Sequence, residues 1–316
     1  MNRQFERAIP QLIFLPSWLA QRGANNRRIV ANAFQDYFVN NHHEQASVLV
    51  KDFYAAECSY GFSLSDRSLF EVGQSVATLA NTYAAVFWLI FYVFSTPDAL
   101  REIRQEISSI ITHSVAEGKH SKIGYVLDMT KVDTHCPTLV SAFREAIRLQ
   151  SVGISLRKVC RDTTVNGKYR LKKDATVLMP TVAIHTDPRV WGSDVLTFDH
   201  RRFLHTKGSD AQKYVSPAAF RSFGGGTTLC PGRHFATTQI MAWASMLVMR
   251  FDMEPTSPGG KWVRPTTENS NLANVIMRPD HDLEVRLTTR EAYDDGEWDV
   301  KLSGKEALFQ VTVEDL

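Results

Sequence analysis

Residues 223–236 combine glycines, a cysteine and the start of a helix in an order that can support chemistry. The run Gly224–Gly226 allows tight turns that direct backbone N–H groups inward. A helix predicted from about Gly232 places a positive dipole end beside Cys230. Both effects favour a thiolate, which can act as a nucleophile or as a soft metal ligand. For a lone cysteine, the commoner role is that of a small buried hydrophobe.

Two further groups of residues carry polar chemistry. Glu145 and Arg148 lie one helical turn apart, a spacing that on a surface helix stabilises by only about 0.2–0.5 kcal/mol. Asn81 lies in a long apolar stretch, where its amide can take part in chemistry or simply satisfy a neighbouring carbonyl group. Neither feature defines a function by itself.

Helical patterns must position most of these residues. From Phe5 to Ala80, apolar residues recur at helical spacing, and Asn25-Asn26 is a plausible helix cap. An apolar helix then ends near Ser95. Thr96-Pro97-Asp98 begins a further helix, which we expect to continue toward His113.

The second half of the sequence alternates between helix and strand. Helices are predicted after Pro137 and from Gly232 to about Met249. Between them, short strand-like runs surround Val165–Lys168, which we interpret as a hairpin turn because Asn-Gly pairs adopt positive φ angles readily. A small sheet is therefore expected in this region.

The carboxy-terminal part carries weaker patterns. We expect a terminal hairpin between Ala273 and Leu287, with its turn at Arg278-Pro279-Asp280. Residues 288–316 are rich in charge and poor in core-forming side chains, so we expect a poorly ordered or atypical tail.

The composition is that of a soluble globular chain. Its 316 residues carry a net charge of +2, with 44% hydrophobic and 22% charged residues, which argues against disorder and against nucleic-acid coating. Four scattered cysteines favour a reducing, intracellular compartment over a disulfide scaffold. No signal peptide is recognisable, and the apolar run Tyr83–Phe94 is shorter than the roughly 17–25 residues of a membrane span. We interpret that run as a buried helix.

The cysteine segment resembles the haem-binding loop of the cytochrome P450 family, whose pattern is Phe-x-x-Gly-x-x-x-Cys-x-Gly-x-x-x-Ala. The positions that match this pattern are Phe223, Gly226, Cys230, Gly232 and Ala236. The resemblance implies that Cys230 is the proximal ligand of haem b (iron protoporphyrin IX). It also implies that Phe223, Gly226 and Gly232 belong to the cofactor-binding loop.

Two residues are expected to meet the haem propionates. Thr228 departs from the family, which usually has arginine or histidine there, but its hydroxyl can still donate a hydrogen bond. Arg157 follows the predicted helix of Glu145 and lies on a strand face where the family often places a propionate-binding arginine. A solvated arginine at the end of a strand is the alternative for Arg157.

Glu145-x-x-Arg148 resembles the K-helix motif of the family, which is contacted by an arginine from a later loop. A downstream segment resembles that loop, Phe-x-Pro-Glu-Arg-Phe, with His200 and Arg201 in place of proline and glutamate. The resemblance implies that Arg202 joins Glu145 and Arg148 in a buried structural cluster.

Residues 77–82 resemble the family's oxygen-activating segment, Ala-Gly-x-Asp/Glu-Thr-Thr. Ala80 and Asn81 replace its acid and its alcohol, so proton delivery is altered, and Asn81 is the candidate catalytic residue. The Asn-Thr pair resembles the branch that contains sterol 7α- and 12α-hydroxylases and prostacyclin synthase, and Thr228 fits that branch as well.

The resemblance implies a mainly α fold with small β-sheets, namely the carboxy-terminal portion of a cytochrome P450 domain. Residues 1–287 would form a partial haem domain that begins at about the F/G region, and residues 288–316 would form the tail. Family members are longer at the amino end, where they carry a membrane anchor, and we expect that anchor to be absent from this chain. We therefore expect a truncated gene model or fragment, or a degenerate protein that no longer works.

The expected activity is monooxygenation of a lipophilic, sterol- or terpenoid-like substrate, with O₂ and electrons from NADPH–cytochrome P450 reductase. The candidates for the reductase-docking surface are Arg201, Arg202, Arg221 and Arg233. We expect an intracellular protein without a nucleic-acid partner, at the endoplasmic reticulum membrane for a full-length homologue. Two alternatives stay open: a peroxide isomerase of the prostacyclin-synthase type, and an inactive chain unable to retain haem.

Overall fold

The computed structural model describes residues 3–16, 18–115, 123–204, 216–270, 274–293 and 296–302 of the chain. The chain divides into two compact units. One comprises Met1–Asn81 with Asn271–Asn274, and the other comprises Thr82–Ser270 with Val275–Leu316. Helices predominate, with small sheets in the second unit, which confirms the predicted fold class.

The first unit is helical, as the apolar spacing predicts. Its helices are α1 (Arg3–Phe14), α2 (Gln21–Val39), α3 (Val48–Ser59) and α4 (Leu64–Leu79). Phe5, Ala31 and Val72 form its buried cluster. The prediction of a cap at Asn25-Asn26 is wrong, because α2 already begins at Gln21 and that pair lies inside the helix.

Ala80 and Asn81 separate α4 from the next helix, α5 (Thr82–Ser95), whose end at Ser95 is as predicted. Ala80 keeps helical angles (φ −61°, ψ −40°) and donates its N–H to the carbonyl of Val76. By length and composition, Leu64–Ser95 is the one stretch of the described residues apolar enough to cross a membrane. Half of its apolar window is buried in the protein, as in a core helix, so the stretch is weak evidence for a span.

Packed helices build the core of the second unit. The described helices that follow α5 are α6 (Pro97–Ser108), α7 (Val132–His135), α8 (Pro137–Gln150), α9 (Thr181–His185), α10 (Pro188–Trp191) and α11 (Arg233–Arg250). Helices α5, α6, α8 and α11 pack against one another and bury side chains such as Trp88, Leu89 and Phe143. Glu106 of α6 accepts the N–H groups of Thr138 and Leu139, and so satisfies the first turn of α8.

Helix α6 is shorter than predicted. It ends at Ser108, and His113 lies in a strand instead of in the last turn. The hydroxyl groups of Ser108 and Ser109 donate hydrogen bonds to the carbonyls of Gln105 and Glu106, which competes with continued helix at this point.

The second unit contains small sheets. Its described strands are β1 (Ile111–Val115), β2 (Ile123–Asp128), β3 (Ile154–Lys158), β4 (Thr163–Val165), β5 (Tyr169–Leu171), β6 (Thr176–Pro180), β7 (Phe251–Pro255), β8 (Val285–Thr289) and β9 (Glu297–Lys301). The antiparallel pairs are β1–β2, β3–β6, β4–β5 and β7–β8. Asn166 (φ 51°) and Gly167 (φ 64°) form the predicted turn between β4 and β5, which confirms that hairpin.

The predicted terminal hairpin around Arg278-Pro279-Asp280 is wrong. Strand β8 pairs with β7, which precedes it by about thirty residues, and Ile276 forms an isolated bridge with Ser151. Asp280 instead accepts the hydroxyl of Thr266 and organises the loop there. The two halves of the expected hairpin therefore pair with distant segments and not with each other.

The expectation of a poorly ordered tail is wrong for residues 297–301. They form β9, which pairs in parallel with β2. Trp298 stacks on Tyr125, and Lys301 lies 3.2 Å from a carboxylate oxygen of Asp128. Residues 303–316 lie outside the described part of the chain.

Candidate functional site

The cysteine loop is closed by backbone hydrogen bonds. The N–H of Cys230 donates to the carbonyl of Phe223 at 2.9 Å, and the N–H of Leu229 donates to Gly226 at 3.1 Å. Gly224 (φ 81°) and Gly226 (φ 60°) adopt left-handed angles that side-chain-bearing residues rarely take. A Cβ at Gly224 would also lie 3.1 Å from the Thr228 carbonyl oxygen. The predicted glycine turn is therefore present.

Cys230 differs in environment from the other three cysteines. It is half-buried just before α11, which begins at Arg233. Cys58 and Cys160 are exposed. Burial, with a smaller contribution from Glu106, raises the pKa of Cys136 to about 12. Of the four thiols, Cys230 is the one that is half-buried, and it lies just before a helix N-terminus, whereas Cys136, at the N-cap of α8, is fully buried.

Arg157 and Thr228 lie in direct contact beside this loop. Arg157, on β3, donates through Nη2 to the Thr228 hydroxyl at 2.7 Å and to the Gly225 carbonyl at 3.3 Å. Its Nη1 donates to the carbonyl of Leu156 at 2.8 Å. No ion pair among the described residues engages Arg157, so its guanidinium charge is not neutralised by a carboxylate there. The arrangement gives a cationic edge to the cysteine loop.

Glu145, Arg148 and Arg202 form the predicted buried cluster. Arg148 binds both carboxylate oxygens of Glu145, through Nε at 2.7 Å and Nη2 at 2.8 Å, and neither side chain is exposed to solvent. Arg202 donates through Nε to Glu145 at 2.9 Å, with 8% of its side chain exposed. Its other nitrogens donate to Trp191 and Asp194. A surface contact is thereby excluded for Glu145-x-x-Arg148.

The residues that replace the family's proline and glutamate have a partner of their own. His200 Nε2 lies 3.3 Å from a carboxylate oxygen of Glu102, and Arg201 hydrogen-bonds to the same carboxylate. The hydrogen bond from Arg201 is the largest cause that holds the pKa of Glu102 below its usual range. The altered motif is therefore joined to α6.

The remaining predicted site residue, Asn81, belongs to the first unit. It is half-buried in the two-residue turn between α4 and α5, and the preceding Ala80 is buried. The helix is therefore interrupted at the positions that resemble the oxygen-activating segment. The structure brings Cys230, Thr228 and Arg157 together in the second unit, and Glu145, Arg148 and Arg202 form a separate cluster there.

Sequence reasoning missed His185, which contacts Arg148 of the buried cluster and the backbone of Arg221, two residues before Phe223. Its ring lies between the carbonyl of Arg148 and the N–H of Arg221, at the start of the cysteine loop. The sequence contains one indication of this role, because His185 directly follows the apolar residues 182–184 in the short helix α9.

The side chains of Cys230, Arg157 and Thr228, here called the donor set, fit a haem group. Among the described residues, no three His, Cys, Asp or Glu side chains converge as a metal site. Haem iron brings its own porphyrin nitrogens and needs one protein ligand on the proximal side, which Cys230 can supply. Arg157 offers guanidinium N–H groups for an anionic carboxylate beside that ligand, and the Thr228 hydroxyl, which accepts from Arg157, donates to the Gly225 carbonyl at 3.3 Å.

Comparison with known proteins agrees with this donor set. The family model for Cytochrome P450 matches residues 3–282, most of the chain. The chain therefore belongs to the cytochrome P450 family, a family of haem-thiolate proteins.

Similar curated proteins are named cytochrome P450 enzymes. The chain is 31% identical over 304 residues to "Cytochrome P450 monooxygenase nodJ" of Hypoxylon pulicicidum, covering 95% of this chain and 58% of that protein. It is 28% identical to cytochrome P450 7A1 of Rattus norvegicus, covering 66% of this chain and 42% of that protein. The human 7-alpha-hydroxycholest-4-en-3-one 12-alpha-hydroxylase is 27% identical, over 66% of this chain and 42% of that enzyme. The chain thus aligns with only 42–58% of the length of these relatives.

Proposed function

We propose that the protein is a haem-thiolate monooxygenase that acts on a lipophilic, sterol- or terpenoid-like substrate. One observation carries the proposal: Cys230 is half-buried before α11, in a closed loop whose edge carries Arg157 and Thr228. Thiolate-bound haem activates O₂ when electrons are supplied, since the thiolate favours cleavage of the O–O bond. The overall reaction inserts one oxygen atom into a C–H bond and releases the other as water.

Each residue has a distinct part in this function. Cys230 binds the iron, and Arg157 and Thr228 bind a propionate. Glu145, Arg148 and Arg202 hold the proximal side together. Phe223, Gly226 and Gly232 shape the loop around the sulfur. The name of the human relative, 7-alpha-hydroxycholest-4-en-3-one 12-alpha-hydroxylase, supports the substrate class.

Electrons come from NADPH through a cytochrome P450 reductase in this proposal. Arg221 and Arg233 flank the cysteine loop and fit a docking surface for an acidic partner. Arg202 does not, because its side chain is buried against Glu145. Arg201 contributes less than its charge suggests, since it is paired with Glu102. A lipophilic substrate and a reductase partner support the expectation that a full-length homologue works at the endoplasmic reticulum membrane.

Arg157→Ala is expected to speed the loss of haem by about tenfold or more, because a hydrogen bond to a charged group contributes about 1.5–3 kcal/mol. The measurement is transfer of haem to an acceptor apoprotein, with the circular dichroism spectrum as a check on folding. Arg161→Ala, an exposed arginine near β3, is the matched control. Equal transfer rates in Arg157→Ala and the parent would show Arg157 to be a solvated arginine.

A peroxide isomerase remains the second candidate, and one observation favours it. Ala80 and Asn81, at the interruption between α4 and α5, supply neither an acid nor an alcohol for proton delivery. Such an enzyme rearranges a peroxide already present in its substrate and needs neither reductase nor O₂. The names of the relatives favour the monooxygenase.

Asn81→Ala distinguishes the two reactions. In a monooxygenase, the Asn81 amide must orient water for proton transfer, and positioned proton transfer typically contributes about 10²–10⁴-fold in rate. The haem-loaded variant, assayed with reductase and sterol-like substrates, should lose product by that factor while still consuming NADPH. Ser65→Ala, which changes an exposed residue of α4 outside residues 77–82, is the control.

An anaerobic assay with a lipid endoperoxide completes this test. The monooxygenase should form no product without O₂ and reductase. Anaerobic product formation would establish the isomerase in its place. Failure of the protein to bind haem at all would contradict both enzymes.

A further inference from the structure

His185 is a buried histidine that links α8 to the cysteine loop. It ends α9, and 1% of the residue is exposed. Its Nδ1 lies 3.0 Å from the carbonyl oxygen of Arg148, and its Nε2 lies 2.9 Å from the backbone N–H nitrogen of Arg221. The two ring nitrogens therefore contact the buried ion cluster on one side and the start of the loop on the other.

The partners of His185 determine its protonation. A carbonyl oxygen only accepts, so Nδ1 must carry the proton that it donates to Arg148. A backbone N–H only donates, so Nε2 must present a lone pair to Arg221. Both bonds form together only in the neutral Nδ1–H tautomer. A proton on Nε2 would replace an attractive contact with two facing N–H groups.

Aromatic rings and a charged group hold His185 in place. Phe220 stacks on the imidazole with ring centroids 5.8 Å apart, and Trp191 meets its edge at 6.0 Å. Arg148 donates through Nη1 to the His185 carbonyl at 2.5 Å, and its guanidinium lies over the Trp191 ring. Rotation of the imidazole is therefore blocked on both sides.

We propose that His185 is a positioning residue that fixes the cysteine loop to the Glu145/Arg148/Arg202 cluster and thereby sets the place of Cys230. Backbone hydrogen bonds continue the connection: the Arg221 carbonyl accepts the N–H of Gly224, and the Phe223 carbonyl accepts the N–H of Cys230. This inference rests on the proposed function, in which Cys230 holds the haem iron. His185 does not itself touch the sulfur.

The proposal predicts a defined pH dependence. Burial lowers the pKa of His185 to about 4 from its usual 6.5, against the opposing hydrogen bond to the Arg148 carbonyl and with a smaller contribution from the charge of Arg148. As the pH falls, His185 therefore becomes protonated at a higher pH in the unfolded chain than in the folded protein. As pH falls from about 6.5 to 4, the unfolding equilibrium constant should rise by up to about tenfold per pH unit on account of His185.

Other charged groups lie on the elements that pack against His185. They are Arg144, Glu145 and Arg148 of α8, Asp187 and Arg189 around α10, and Arg221 of the loop. The hydrogen bond from Arg189 holds the pKa of Asp187 below its usual range, so acid acts on more than His185. The informative quantity is therefore the difference between the pH profiles of the parent and a His185 variant.

His185→Phe is the first test, because it keeps an aromatic ring between Phe220 and Trp191 and removes both hydrogen bonds. Hydrogen exchange at the Arg221 amide should accelerate by about tenfold, and transfer of haem to an acceptor apoprotein by a similar factor. The pH-dependent component between 6.5 and 4 should disappear. His281→Gln, an exposed histidine, is the control and should keep it.

Two further variants separate positioning of the loop from general destabilisation. His185→Gln can place an acceptor oxygen near the position of Nε2 and so restore the bond to Arg221. His185→Asn can replace only the donor toward Arg148. We expect Gln to recover slow haem loss and protection of the Arg221 amide, and Asn to recover neither.

The outcomes distinguish this inference from the function on which it rests. A parent protein that binds no thiolate-ligated haem would contradict the proposed function, while exchange at the Arg221 amide would still test the hydrogen bond. A parent that binds haem, with unchanged haem loss and amide exchange in His185→Phe, would overturn the inference alone. Equal recovery by Gln and Asn would also overturn it.

Discussion

Cys230→Ser is expected to abolish the red-shifted Soret band that a thiolate-ligated haem shows when reduced and bound to CO. The physical reason is that a hydroxyl has a far higher pKa than a thiol, so a serine at this position cannot supply the anionic sulfur ligand on which the band depends. The measurement is the reduced, CO-bound spectrum of protein expressed with haem. The band should be lost completely and not merely weakened.

Three other cysteines provide matched controls for this variant. Cys58→Ser and Cys160→Ser change exposed thiols, and Cys136→Ser changes a buried thiol whose pKa is raised to about 12 by burial. All three should retain the band. A band that survived in Cys230→Ser, or disappeared in one of the controls with folding intact, would contradict the assignment of Cys230.

Glu145→Gln is expected to lower the free energy of unfolding by about 3–5 kcal/mol. The substitution preserves the side-chain volume but removes the charge, and it leaves the buried guanidinium of Arg148 and that of Arg202 without their shared partner. Haem content should fall together with stability, since Arg202 also holds the segment around Trp191 and Asp194. Denaturant unfolding and haem quantification measure the two effects.

Glu102→Gln is the control for this prediction. Glu102 also accepts from an arginine, Arg201, but that pair is partly open to solvent, and exposed ion pairs typically contribute about 0–1 kcal/mol. The loss in the free energy of unfolding should therefore be several-fold larger for Glu145→Gln than for Glu102→Gln. Similar, small losses in both variants would show that the Glu145 cluster does not behave as a buried set of charges.

Local chemistry was predictable from the sequence. The Asn166-Gly167 turn and the glycines before Cys230 depend on backbone angles that few residue types adopt, so their identity specifies the conformation. The roles assigned to Arg157 and Thr228 came from a family resemblance, and the haem contacts themselves remain predictions. What the structure adds is the hydrogen bond between these two side chains.

Long-range pairing was not predictable. Strand β9 pairs with β2 in parallel across more than 150 residues, and the charge-rich sequence of the tail conceals the alternation in which Trp298 and Val300 are half-buried. The supposed terminal hairpin failed for the same reason, since Ile276 bridges to Ser151. Amino-acid composition indicates the local preference for helix, strand or loop, whereas the pairing of a strand depends on which other segment the fold brings next to it.

His185 shows the same limit within the site. Its hydrogen-bond partners, Arg148 and Arg221, lie 37 and 36 residues away, and both contribute backbone atoms whose availability no residue type reveals. By contrast, the Glu145–Arg148 ion pair can be predicted from the sequence, because two oppositely charged residues lie one helical turn apart. Side-chain chemistry at short spacing can be predicted, but side-chain contacts with distant backbone cannot.

X-ray absorption at the iron edge of the haem-loaded protein tests the central claim most directly, because it reports the atoms bound to iron. The account predicts a sulfur neighbour in the first coordination shell of the parent, absent from Cys230→Ser and present in Cys58→Ser and Cys160→Ser. A first shell of nitrogen and oxygen alone in the parent, with haem bound at full occupancy, would contradict it.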